Sequence, residues 1–274
     1  MKKFISVLLC LFMFAQYLFA AESKEIVAVS ILPQVEIVSR IAGDKVKIIC
    51  LVPKGSDPHS YEPSPSVLKA FSKAKVWFQV GSGIEFEQNW AGALIKQNPS
   101  VSVVDTSDGI QTIDGDPHVW LLPRNVVLMA TNTLKGLVSI LPDEKDSMLE
   151  NATRYMDELI KADKRIIQSV KKNSISGFVA QRPAWLYFAR AYLIKYIPIL
   201  LSGRQASAKQ VKDLINEIKK EKISYLFIDS KTPVVRSIEQ QVKLKEVYVT
   251  PLTDNLLGQF KLIADEFSGE GNGG

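Results

Sequence analysis

The chain has 274 residues, with 34 Lys+Arg against 29 Asp+Glu for a formal charge of +5, and 46% of its residues are hydrophobic and 23% charged. These proportions belong to a globular protein and exclude a disordered chain, a collagen-like repeat and a small disulfide scaffold. The mild basicity, with no basic run interleaved with aromatic residues, argues against nucleic acid as a partner.

The first 20 residues read as a secretory signal peptide. Lys2 and Lys3 form a positive start, Val7 to Ala15 is an unbroken apolar run, and Ala20 and Ala21 are small residues at the expected cleavage point. Removing this segment leaves Cys50 as the one cysteine, since Cys10 departs with the signal. An internal disulfide is then impossible, and Cys50 reads as a buried thiol in a strand. Cys10 follows Leu9 inside the apolar run, which makes it a poor lipidation site. The expected product is an exported, soluble, monomeric protein.

Beyond the signal, short apolar runs alternate with amphipathic stretches. Ile26–Ser30, Val46–Val52, Lys75–Val80 and Val101–Val104 are predicted strands, with helices over Gln34–Ala42 and Val67–Lys73. Ser64-Pro65 supplies a helix cap followed by proline at the first helical position. Continuous apolar strands alternating with helices predict a parallel α/β sheet.

The alternation breaks at Pro142. From Asp143 to Lys172 there is no glycine or proline, and apolar residues recur at helical spacing from Met148 through Leu159 to Val170. One long helix is predicted there, able to act as a strut between two lobes. The alternation then resumes. Strands are predicted over Gly177–Ala180, Tyr196–Leu201, Tyr225–Asp229 and Glu246–Thr250, and helices over Pro183–Leu193, Ala208–Lys220, Pro233–Val242 and Asn255–Phe267. The expected organisation is a signal peptide over 1–20, an N-terminal α/β lobe over 21–141, a linking helix over 142–173, a C-terminal α/β lobe over 174–268 and a frayed tail over 269–274. Each lobe is expected to hold a four-stranded parallel sheet.

The chain has two histidines, and both stand in the tripeptide Asp-Pro-His: Asp57-Pro58-His59 and Asp116-Pro117-His118. Each falls in a loop beyond the carboxyl end of a predicted strand, where open parallel sheets bind ligands. Imidazole is the commonest protein metal ligand, so the pair is read as a shared metal site in preference to two turn-capping histidines. The C-terminal half offers Gln181-Arg182-Pro183 and Pro251-Leu252-Thr253-Asp254-Asn255 at equivalent strand ends. Asp254 is either an oxygen ligand or the cap of the last helix. No nucleophile elbow, phosphate loop or His-Glu-x-x-His helix is present, and Gly81-Ser82-Gly83 reads as a tight turn.

The segments Gly55-Ser56-Asp57-Pro58-His59-Ser60-Tyr61-Glu62-Pro63-Ser64-Pro65, Asp116-Pro117-His118-Val119-Trp120-Leu121 and Pro183–Tyr192 resemble, in order, segments of the TroA-like substrate-binding proteins of zinc and manganese ABC transporters. Ser207–Gln210 and Pro251–Asp254 resemble two further segments, so the likeness runs from about Ile26 to Phe267. It implies two lobes joined by one long helix, with Zn2+ or Mn2+ held between them for delivery to an inner-membrane permease from the periplasm. It implies His59 and His118 as ligands from the first lobe and Asp254 from the second. At the third-ligand position, immediately before Pro183, stands Arg182, which has no lone pair to donate. Two other readings remain open: a diverged protein that holds a small anion through Arg182, and a metal-assisted hydrolase with Asp57 or Glu62 as base.

Overall fold

The computed structural model describes residues 24–199 and 207–271. The expected signal peptide, the end of the strand predicted to reach Leu201 and the last residues of the tail lie outside the described residues.

Two four-stranded sheets carry the fold. The first contains β1 (Glu25–Val29), β2 (Val46–Cys50), β3 (Val76–Gln79) and β4 (Ser102–Asp105), in the order β2-β1-β3-β4. The second contains β5 (Gly177–Ala180), β6 (Lys195–Pro198), β7 (Tyr225–Ile228) and β8 (Lys245–Tyr248), in the order β6-β5-β7-β8. Every pairing is parallel, and the two sheets share one topology. The central strands are apolar on both faces because helices cover both: Val27, Ala28, Val29, Val76, Trp77 and Phe78 are fully buried.

In the first lobe, α1 (Leu32–Ala42), α2 (Pro65–Phe71), α3 (Glu85–Gln97) and α4 (Pro123–Ile140) flank the sheet. Ser64 caps α2 by accepting from the Val67 N–H at 3.4 Å, with Pro65 opening the helix as its sequence suggests. α4 lies close on the sheet because Gly136 faces it; a Cβ there would sit 2.6 Å from Phe78 Cε1.

A 3-10 turn at Pro142–Glu144 ends the first lobe, and α5 (Lys145–Lys172) follows. Its 28 residues span about 42 Å. Met148, Ala152, Tyr155, Leu159, Ala162, Ile166 and Ser169 form one buried stripe at alternating spacings of four and three. That stripe packs on α1 and α4 of the first lobe and on α9 (Leu256–Ser268) of the second. The strut therefore belongs to both lobes. The second lobe is completed by α6 (Leu186–Tyr192), α7 (Ala208–Lys220) and α8 (Pro233–Glu239). No described helix is long and apolar enough to cross a membrane.

The segments that follow β2 and β4 of one sheet meet those that follow β5 and β8 of the other. Trp120, in a 3-10 turn between β4 and α4, donates its indole N–H to the Pro251 carbonyl past β8 at 2.7 Å. The Tyr187 hydroxyl donates to the Asp116 carbonyl at 3.0 Å and accepts from the Ile113 N–H at 3.1 Å.

Candidate metal centre

The two Asp-Pro-His tripeptides fold alike. In each, the aspartate Oδ1 accepts the backbone N–H of the histidine two residues on: Asp57 from His59 at 3.0 Å, and Asp116 from His118 at 2.8 Å. This side-chain-to-backbone turn, with proline fixing the intervening φ, presents the imidazole from a stiffened loop. The two rings come together with centroids 5.4 Å apart and planes inclined by 51°.

The tripeptides differ in what holds the ring. Asp116 Oδ1 also lies 2.6 Å from its own His118 Nδ1. His59 Nδ1 instead meets Glu85 Oε2, from the first turn of α3, at 2.6 Å. In both histidines a carboxylate thus engages Nδ1, which directs Nε2 to another partner. His118 is buried beside Trp120, their centroids 5.2 Å apart, and the more exposed His59 stands at the mouth.

A second tier of contacts holds these loops. The turn at Gly81-Ser82-Gly83 has φ of +84° at Gly81, where a Cβ would overlap the Asp105 carboxylate. Ser82 Oγ donates to the Pro117 carbonyl at 2.5 Å, one residue before His118. Buried Glu87 accepts from the backbone N–H groups of Val80 at 2.6 Å and Gly81 at 3.0 Å. Burial raises the Glu87 carboxyl above its ordinary range, against those hydrogen bonds. The turn read from sequence as a plain connection is therefore a brace for the second histidine loop.

Arg182, two residues past β5, places its Nε 2.9 Å from Asp229 Oδ2, just past β7. Asp229 is further fixed by the Ser230 hydroxyl at 2.9 Å and by its own N–H donating to Gln181 Oε1 at 3.1 Å. The Arg182 carbonyl accepts from the Tyr196 hydroxyl at 3.1 Å. Burial pushes the Tyr196 phenol up, and the nearby Asp116 charge adds to the shift. The Arg182 cation is thus partly balanced by Asp229, and its carbonyl is held by Tyr196.

Asp254 does not cap the last helix. Asn255 does, its side chain accepting from the Gly258 N–H at 3.1 Å. Asp254 Oδ2 instead sits 3.6 Å from Lys54 Nζ of the first histidine loop. The structure brings His59 and His118 together; among the described residues, no three His, Cys, Asp or Glu side chains are grouped so as to hold a metal ion. Glu85 and Asp229 have no local sequence signature that marks them; Ser82 and Trp120 lie in segments that the sequence singles out, but nothing there gives their side chains these contacts. Asp57 makes the turn beneath His59, and no polar contact places Glu62 with the pair.

Two lobes of one topology, bridged by a long helix, carry an imidazole pair on the loops of the first lobe. The chain belongs to the ZnuA family, zinc-uptake complex component A, whose profile matches residues 27–261. It is 32% identical over 212 residues to the metal ABC transporter substrate-binding lipoprotein FimA of Streptococcus parasanguinis, covering 71% of this chain and 69% of that protein. It is also 32% identical over 214 residues to the manganese ABC transporter substrate-binding lipoprotein PsaA of Streptococcus pneumoniae, covering 71% and 68%. A ZnuA crystal structure superposes with a TM-score of 0.79 at 29% identity, covering 91% of this chain and 100% of that one. A zinc-bound ZnuA deletion mutant gives a TM-score of 0.78 at the same 29% identity, covering 91% and 98%. The fold is thus that of the family, and the chain is a transporter substrate-binding protein, not an enzyme, which sets the hydrolase reading aside.

Proposed function

We propose that the exported protein captures one divalent metal ion, zinc in preference to manganese, in the cleft between its lobes and hands it to an ABC permease in the inner membrane. The observation that carries this reading is the imidazole pair, 5.4 Å between centroids with a carboxylate on each Nδ1. A ligating histidine characteristically gives its other ring nitrogen to a carboxylate, which fixes the ring and raises its basicity. Two nitrogen donors favour zinc, whereas manganese is better served by oxygen.

His59 and His118 are the proposed ligands of the first lobe. Asp254 is the proposed ligand of the second, and it exchanges Lys54 for the metal when the lobes close. Arg182 is not a ligand. Both zinc- and manganese-named relatives support a divalent cargo. Export rests on the segment before Ala21, and the periplasm follows if that segment is removed. Calorimetric titration of chain beginning after residue 20, stripped of metal, with zinc and then manganese tests the reading. One zinc per chain, bound more tightly than manganese, supports it; no heat from either metal rejects it.

A further inference from the structure

The amino ends of the second sheet form one continuous edge, at the opposite end of the strands from the loops that meet the first lobe. The segments that enter β6, β5, β7 and β8 are joined side by side in that order. The Lys195 N–H donates to the Ser176 carbonyl at 2.8 Å, the Ser176 hydroxyl to the Lys222 carbonyl at 3.1 Å, and the Lys245 N–H to the Ser224 carbonyl at 2.7 Å. At the usual strand spacing this edge is about 14 Å across.

Lysines crowd it. Lys171 and Lys172 end α5, Lys219 and Lys220 end α7, Lys222 leads into β7 and Lys243 into β8, and all are exposed. The nearby acids are engaged elsewhere: Glu217 with Lys195 at 3.0 Å, Glu266 with Lys245 at 2.7 Å, and Asp265 and Glu270 with Arg165. Half-buried Glu221 is left against those exposed lysines, none of which is ion-paired among the described residues. Leu193 stands at the β6 end of the same edge, two residues before Lys195, and is 92% exposed. It ends α6 with φ of +56°. That left-handed position commonly takes glycine, because a Cβ is unfavourable there. Neither burial nor backbone geometry calls for leucine.

The lysines come from separate turns spread along the edge, which suits a broad negative surface better than one small anion. A bilayer with anionic headgroups offers such a surface, and its interface accepts a protruding apolar side chain. One leucine standing out from the edge fits a fluid interface better than the shaped surface of an acidic protein. A transporter substrate-binding protein also works beside a membrane. We propose that this edge docks on an anionic phospholipid surface, with Leu193 entering the interface and the lysines that end α5 and α7 and enter β7 and β8 on the headgroups.

The test is co-sedimentation of the chain from Ala21, which retains both sheets and the strut, with vesicles of phosphatidylglycerol and phosphatidylcholine in equal parts and with vesicles of phosphatidylcholine. Binding to the anionic vesicles is expected to be about tenfold tighter or more, and to fade as salt is raised. Leu193→Gly is expected to keep the fold, since glycine suits the left-handed position, and to weaken anionic-vesicle binding about fivefold or more. A chain carrying Lys220→Glu and Lys243→Glu, both at exposed positions, is expected to lose the preference for phosphatidylglycerol. Equal binding to the two kinds of vesicle, or none, overturns the proposal. Parental binding in either variant overturns the part given to the side chains it replaces. Retention on immobilised polyglutamate without vesicle binding assigns the edge to an acidic protein and overturns the membrane contact.

Discussion

The carboxylate of Glu36, on the first helix of one lobe, accepts the backbone N–H of Leu256, in the first turn of the last helix of the other lobe. The Leu257 N–H reaches the same carboxylate at 3.4 Å. An acidic group at a helix N-terminus meets both unpaired donors and the positive end of the helix dipole. The contact holds the start of α9, and with it the Asp254 loop, against the first lobe.

Burial raises the Glu36 carboxyl above its ordinary value, opposed by the Leu256 and Leu257 hydrogen bonds and by the charge of Arg40. A group raised in the folded state contributes stability that is complete below its unfolded value and is lost as pH rises through its folded value. Glu36→Gln keeps an acceptor and removes the titration. Its unfolding free energy is therefore expected to improve relative to the parent as pH climbs from about 4 toward neutrality. Glu36→Ala, which orphans the helix donors, is expected to cost about 1–3 kcal/mol. Urea unfolding of the three proteins at several pH values checks both outcomes; a parallel pH course for parent and Glu36→Gln would show that Glu36 does not titrate as described.

Trp120→Phe removes the indole donor to the Pro251 carbonyl and leaves most of the ring. Trp120 is fully buried, so the carbonyl loses a partner that water cannot readily replace. The expected loss is about 1–3 kcal/mol in urea unfolding. Zinc affinity is expected to fall as well, because this bond ties the second histidine loop to the Asp254 loop. A variant with parental stability and affinity would mean that the lobes need no such tie.

Glu85→Gln and Asp116→Asn each weaken the hold on one Nδ1. Loss of such an outer partner is expected to reduce metal affinity about 10–100-fold. Asp57→Ala, which removes the turn under His59 but no ring contact, is expected to reduce it less. Equal losses in all three, measured by competition with a chelating dye, would contradict the distinct role given to the Nδ1 carboxylates.

Burial pushes the Cys50 thiol up to about 12, and its Sγ donates to the Val52 carbonyl at 3.0 Å. Only the thiolate is reactive. The folded protein is expected to resist a thiol reagent at pH 8 and to react fully in denaturant. Rapid labelling of the folded chain would show that this strand end opens readily.

Much of this fold is legible in the sequence where burial dictates the pattern. Val27–Val29 and Val76–Phe78 are apolar at every position because both sheet faces are covered, and α5 announces itself by period. The two helices α3 and α4 are not. Ile84, which precedes α3, makes no side-chain cap, and α4 carries Val126, Val127, Thr131, Thr133 and Gly136, residues with weak helical preference that packing overrides. The paired histidines stand out because their local sequences match. Their supports do not, since Glu85 is 26 residues from His59 and Asp229 is 47 from Arg182, and only the folded chain joins them. Asp254 had two readings from spacing alone; Asn255 takes the cap and leaves Asp254 to Lys54.

The central claim is that His59 and His118 together hold the metal. The most direct measurement is isothermal titration of zinc into the metal-free parent, His59→Ala and His118→Ala in one buffer near pH 7.5. The account predicts one zinc per parent chain and a loss of at least tenfold in affinity for each alanine variant. Zinc affinity in the alanine variants equal to that of the parent would contradict it.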